Sequence, residues 1–265
     1  MRLKHRVSLN GVHLDSLDNR ILITGVDEAA GKESISAVSS AAGTGQRVTG
    51  MRRDTLDVTV KFALAIKPRD MTGRSELLEA INAWAAAGGD LKLNYRPNRL
   101  LKVICAQAPG AGDQFKWDNE FSITFRAYSI PYWQSDVIEN TTAVGTSKSV
   151  QLAIPGSIQT VANAEVQNES GATITTVTVT AGSSSIALAN LNLAGGQKLV
   201  IDHYWNAKNF YLRIRKGSGS SLSSVMNLRT ADSADDLYCG PGAVTCTVTA
   251  QRAVSCRFYA RGRFA

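Results

Sequence analysis

The chain has 265 residues, 44% of them hydrophobic, and a formal net charge of +7; that is the length of two domains and the composition of a globular protein, not of a disordered one. The surplus charge is spread, with 18 basic against 14 acidic residues up to Gln134 and 11 against 8 beyond it, so no single polyanion-binding patch stands out. No run approaches the roughly 18 consecutive apolar residues of a membrane span, and the basic start MRLKHRVSLN has no apolar core behind it, so neither a signal peptide nor membrane insertion is expected.

In chain order, HRVSLNGVHL places Asn10-Gly11 between two short alternating runs, the signal of a two-residue hairpin. A short strand, Ile21 to Val26, follows. From Glu28 to Gly50 the chain turns to Ala, Ser, Gly and Thr without a sustained period, which predicts a long exposed loop. In an assembly protein such a loop commonly reaches a neighbouring subunit. Gly43-Thr44-Gly45 lacks the third glycine and the strand-to-helix setting of a phosphate cradle.

The stretch that organises the chain comes next. From Thr55 to Ile66, Leu56, Val58, Val60, Phe62, Leu64 and Ile66 alternate with Thr55, Asp57, Thr59, Lys61, Ala63 and Ala65. Period two over twelve positions demands an extended strand with one face on a core and the other, small and polar, toward solvent or a partner. Asp70 to Ala87 then carries Leu77, Leu78, Ile81, Trp84 and Ala85 at helical spacing, with Asp70 or Thr72 to cap it and Gly88-Gly89 to end it. Strands are expected again at Leu91–Tyr95, Leu101–Ala106 and around Phe121, Ile123 and Phe125, closed by Ile130-Pro131-Tyr132-Trp133. Tyr132-Trp133 is either core or packed against a neighbouring domain or subunit.

The polar, aperiodic QSDVIENTTAVGTSKS marks a boundary, giving an N-terminal domain over 1–134 and a C-terminal domain over 135–265. The second half shows no helical pattern. Its short runs rich in Ser, Thr, Gly, Val and Ala, from Ala164–Gln167 to Ala243–Thr249 and Ala253–Tyr259, recur every 8–12 residues or so, as in a jelly-roll sandwich. The fold class expected is mainly β: an α+β N-terminal domain with one helix, then a β-sandwich.

Few residues offer chemistry. Cys105, Cys239, Cys246 and Cys256 contain no C-x-x-C pair; Cys246 and Cys256 keep step with apolar neighbours as small core residues, reduced thiols are expected, and a Cys246–Cys256 bridge stays open. Asp202-His203 are adjacent on a strand and point to opposite faces, so neither orients the other. Asp232, Asp235 and Asp236 fit no calcium-loop spacing. No catalytic constellation, metal site or cofactor site is expected. Two surface features remain: Arg257, Tyr259, Arg261 and Arg263 on one face of the last strand, and Tyr204-Trp205 as an aromatic platform.

The order of MRRDTLDVTVKFAL, RSELLEAINAWAAAGG and FRAYSIPYW, followed by ITTVTVTAGSSSIAL, AGGQKLVIDH and ADDLYCGPGAVTCTVTA, resembles the distal tail proteins that join tail tube to tail tip in long-tailed bacteriophages. The departures are the Ala/Ser/Gly-rich segment before Arg52 and the cysteine-bearing strands. The resemblance implies a galectin-like or carbohydrate-module-like C-terminal sandwich and a homo-oligomeric ring, six subunits in the family, made by the N-terminal domains. It implies docking to the tail tube, the tail-tip hub and the tape measure, with DNA passing through the lumen without specific binding. The place of such a protein is the virion tail tip, after assembly in the bacterial cytoplasm, with no enzymatic activity.

Within that reading the polar face Thr55, Asp57, Thr59 and Lys61, with the segment before it, is the candidate ring contact. Trp205, Arg257, Tyr259 and Arg261 are the candidate contacts for a partner or glycan. A carbohydrate-binding module in host recognition is the second reading, and a nucleic-acid binder, suggested by charge alone, the third.

Overall fold

The structure, a computed structural model, describes residues 5–29, 31–39, 46–67, 70–110 and 120–265. Contacts divide the chain into two units, Met1–Tyr132 with Asn206–Asn209 and Trp133–Trp205 with Phe210–Ala265. Both are mainly β with antiparallel pairing.

In the first unit, β1 (Val7–Leu9) and β2 (Val12–His13) form the expected hairpin. Asn10 and Gly11 take φ of 52° and 83°, as a type I′ turn requires. A four-residue helix, α1 (Leu14–Leu17), buries Leu14; it adds to the one helix expected and is too short to leave a period in sequence. Then come β3 (Ile21–Glu28), β4 (Lys32–Ser39), β5 (Gln46–Leu64), α2 (Met71–Ala86), β6 (Gly89–Leu93), β7 (Arg99–Gln107) and β8 (Glu120–Ala127). The sheet order is β2-β1-β6-β7-β8-β5-β3, with β4 also on β5.

The Glu28–Gly50 segment is therefore not a loop. β4 pairs antiparallel with β5 from Lys32↔Thr55 to Ser39↔Gln46, forming an arm. Glu33, Ser34, Ile35, Ser36 and Ala37 are all exposed, so over these residues neither face is buried and burial imposes no hydrophobic alternation. Gly43-Thr44-Gly45 lies outside the described residues.

Along β5, Leu56, Val58, Val60, Phe62 and Leu64 are buried, as is Ile66 beyond its end. Removing six such side chains from water contributes about 1.5–3 kcal/mol each before the entropy of ordering is set against it. The Asp70 carboxylate accepts the Gly73 N–H at 2.9 Å and caps α2. Gly88, at φ 57°, ends the helix where a Cβ would stand 2.9 Å from the Val103 carbonyl oxygen, so a side chain there meets both strain and a clash. Leu77, Leu78, Ile81, Trp84 and Ala85 are buried. Trp84 meets Phe125 edge-on at 5.8 Å and donates its Nε1–H to the Val12 carbonyl at 3.1 Å, which joins the helix to the sheet and to the first hairpin.

The second unit runs β9 (Trp133–Ser135), β10 (Ile138–Thr141), β11 (Gly145–Ile154), β12 (Thr160–Asn168), β13 (Val177–Ala181), β14 (Ser184–Leu188), β15 (Lys198–Trp205), β16 (Phe210–Ser218), β17 (Ser221–Ser224), a 3-10 turn at Met226–Leu228, β18 (Tyr238–Cys239), β19 (Gly242–Ala260) and β20 (Arg263–Phe264). The segment after Trp133 that carries no period holds β10 and the start of β11. Most of their residues are exposed, so pairing rather than burial makes them strands.

The runs at Ala243–Thr249 and Ala253–Tyr259 are one strand. β19 pairs first with β11 and β13, then with β10 and β12. Arg252 is the one even-numbered position between Val244 and Ala260 that is exposed, and there β11 slips register between Gly145 and Ser147. β19 thus joins β10, β11, β12 and β13 in one continuous sheet around one core, which includes Leu152, Val179, Ile186, Ile201, Ile214, Cys246, Cys256 and Phe258. All four thiols are free. Burial pushes Cys246 up to about 11 and Cys239 to about 12, so both are protonated, unreactive core groups at neutral pH.

Replacing Phe62, which is fully buried, by Ala should destabilise the protein by about 3–5 kcal/mol. Lys61→Ala, one residue along on the exposed face, should leave stability nearly unchanged. Urea unfolding of the two variants reads the difference.

Candidate assembly and binding surfaces

On the polar face of β5 the four expected residues occupy one side of the strand, and Asp57, Thr59 and Lys61 are already engaged. Asp57 holds Arg126 of β8 by two bonds of 2.6 Å. That pairing, then the Tyr128 hydroxyl, raises the Arg126 pKa above its ordinary value. Lys61 pairs with Asp27 of β3 at 2.6 Å and its pKa is raised by that bond. Thr59 bonds Thr124 side chain to side chain at 3.1 Å, and Thr55 lies opposite Lys32 of the arm. The ion pairs are partly or fully exposed, so solvent screening leaves each of them a minor contribution to stability. The arm offers Ile35, 59% exposed.

In the second unit the basic stripe is tied down. Arg257 pairs with Glu139 and lies 5.2 Å from the centre of the Tyr259 ring. Arg261 donates to the Ser135 carbonyl at 2.8 Å and covers the Trp205 ring at 5.9 Å. Arg263 belongs to β20, paired with β9.

Asp202 and His203 face opposite ways, as adjacent strand residues must. Asp202 receives Arg213 at 2.6 Å and Arg215 at 2.8 Å. The His203 side chain is only 4% exposed, with Nδ1 2.7 Å from the Asn163 amide oxygen, Nε2 2.8 Å from the Asp236 carboxylate, and its ring stacked on Phe210 at 4.7 Å. The acidic trio is divided: Asp236 anchors His203 while Asp235 points to Arg229 at 3.5 Å. Among the described residues no three His, Cys, Asp or Glu side chains are grouped to hold a metal ion.

The aromatic platform differs from Tyr204-Trp205. Trp205 is half-buried opposite Phe210, while Tyr204 stands beside Tyr211, its cross-strand partner on β16. Their rings lie 5.2 Å apart at 31°, exposed by 37% and 53%. Tyr211 was hidden from the sequence reading because it lies on the next strand. The signal was there: the four residues Asn206–Asn209 between Trp205 and Phe210 set the register.

The fold is that of phage distal tail proteins. It matches Dit of phage SPP1, described as a paradigm of hub adsorption apparatus in Gram-positive infecting phages, with a TM-score of 0.68 and 14% identity over 98% of this chain and 99% of that one. A chain of the phage P2 baseplate in its calcium-bound activated conformation matches with a TM-score of 0.51 and 8% identity over 99% and 98%. The sequence matches no family model and no curated protein.

Burial, with Asp202 and Glu165 close by, pushes the Tyr259 hydroxyl up to about 12 from its ordinary 10. The unfolded chain releases this proton near pH 10 and the folded chain near 12, so stability is full below pH 10 and falls as pH rises through about 12. Tyr259→Phe should flatten the loss of stability between those values, read from thermal unfolding at stepped alkaline pH.

Proposed function

We propose that the chain is a structural, non-enzymatic component of a long-tailed phage or prophage-derived tail: a ring hub joining tail tube to tail tip or baseplate around a channel for DNA. The observation that carries this reading is the likeness to SPP1 Dit over essentially the whole of both chains. Such a match extends through both units and is not a shared sandwich alone.

In this proposal the first unit makes the ring. Each subunit presents its arm to a different patch of the next, a heterologous contact that closure satisfies all round. The exposed Ile35 and the hydrogen-bonding edge of β4 suit strand addition to a neighbour, with the polar face of β5 beside them. The number of subunits, six by resemblance, and docking to tail tube, tail-tip hub and tape measure belong to the same proposal, as does a place at the virion tail tip.

Light scattering on a size-exclusion column with negative-stain images should show rings with a central hole. Ile35→Asp should shift the mass to the monomer with thermal unfolding unchanged. Exchanging Asp57 and Arg126, which preserves their pairing within the chain while inverting the charge pattern of the face, should also disperse the ring. Rings that persist in both variants would remove the arm and this face from the interface.

A further inference from the structure

We propose that Asn10 is a modification site, the position at which this chain deamidates, and that the fold closes it: conversion proceeds while the first hairpin is unfolded and then bars the chain from its native structure. Asn10-Gly11 is the only Asn-Gly step in the sequence, and there is no Asp-Gly step. Glycine matters because the reaction joins the nitrogen of the following residue to the asparagine side chain, and a residue without Cβ leaves that nitrogen unshielded.

The step needs only water. The Gly11 amide nitrogen attacks Asn10 Cγ, a new C–N bond forms, the bond from Cγ to Nδ2 breaks, and ammonia leaves carrying the Gly11 proton. Water then opens the resulting five-membered imide at either carbonyl. One opening gives aspartate, and the other gives isoaspartate, whose main chain runs through the side-chain carbon.

In the folded chain the Asn10 side chain, although exposed, is held away from this course. Its Nδ2 donates to the Gly88 carbonyl at 2.7 Å and its Oδ1 accepts the Asp90 N–H at 2.9 Å, while its own backbone N–H donates to the Asp90 carbonyl at 2.9 Å. The side-chain bonds have opposite sense, so only a carboxamide satisfies both. The group fills the space over Gly89, where a Cβ would collide with Oδ1. To reach the Gly11 nitrogen, Cγ must give up both bonds and leave that space, so the clamp has to open before the imide can form.

The same clamp makes conversion a one-way exit. It ties the β1–β2 turn to the end of α2 and the start of β6. Aspartate offers only acceptors at neutral pH and would set one of them against the Gly88 carbonyl oxygen, where Nδ2 now donates. Isoaspartate adds an atom to the main chain of the turn, which the two-residue I′ geometry does not accommodate. Chains that linger unfolded are thus withdrawn by chemistry from the folding equilibrium. The site lies in the first unit and is the same whether or not rings form.

Incubating the full chain at mildly alkaline pH, folded in buffer and unfolded in guanidinium chloride, tests this, with conversion located at Asn10 by fragment ions of the tryptic peptide Val7–Arg20. The folded chain should convert at least about tenfold more slowly, since two hydrogen bonds must open together. Gly89→Ala displaces the carboxamide and leaves Asn10-Gly11 intact, so the folded variant should convert severalfold faster than the folded parent. Asn10→Asp should lower the thermal midpoint by several degrees, and native circular dichroism regained on dilution should fall as the converted fraction rises. Equal rates in the folded and unfolded chains, an Asn10→Asp variant that melts with the parent, or a folded Gly89→Ala variant that converts no faster would each overturn the proposal. Should Gly89→Ala fail to fold, the folded-to-unfolded ratio of the parent and the melting of Asn10→Asp decide it.

Discussion

The structure of the first unit depends on one strand having to satisfy three demands at once. β5 must stay extended for nineteen residues, pair with β3 and β4 along one edge and β8 along the other, and keep every second side chain from Leu56 to Leu64 in the core. A shift of one residue would move that whole apolar set to the outer face and bring Asp57 and Lys61 inside, at a cost of several kcal/mol for each unpaired charge. The register is therefore fixed. With it are fixed the cross-strand positions of Arg126 and Thr124, and the point at which the strand leaves the sheet and becomes one side of the arm.

Wherever burial writes a pattern, the fold can be read in the sequence. β5, α2 and the Asn10-Gly11 turn are legible because alternation, helical spacing and positive φ each demand particular residues. The arm, β10 and the first part of β11 are not, because strands exposed on both faces are chosen by backbone pairing and leave side chains free to be Ser, Thr or Ala. β19 reads as two strands because Gln251 and Arg252 are both exposed where its pairing partners change. Long-range pairs were hidden for a different reason: Asp57 and Arg126 are 69 residues apart, and His203 and Asp236 are 33 apart. Sequence could state that Asp202 and His203 do not serve each other; only the topology supplies the partner of each. The Tyr204–Tyr211 pair is intermediate, since counting outward from a four-residue hairpin loop reaches it.

A fold retained at 14% identity is what such constraints permit. Alternation, volume and turn chemistry specify the sheet and the sandwich, and many sequences meet them. The outer faces are under no such requirement. There the chain closes its exposed charges on itself, Asp57 with Arg126, Lys61 with Asp27, Glu165 with Lys198 and Asp202 with two arginines. A neighbouring molecule meeting these faces finds charges already held in pairs within the chain, so its own ionic contacts depend on the pattern those pairs present.

In the proposed ring, further energy would come from backbone pairing along β4, from exposed apolar side chains such as Ile35, and from the cooperativity of closure, in which every subunit makes both of its contacts. In the ring proposed above, weak contacts multiplied around a closed circle suffice where one such contact would not, because the last subunit joins through two interfaces while losing its translational freedom once.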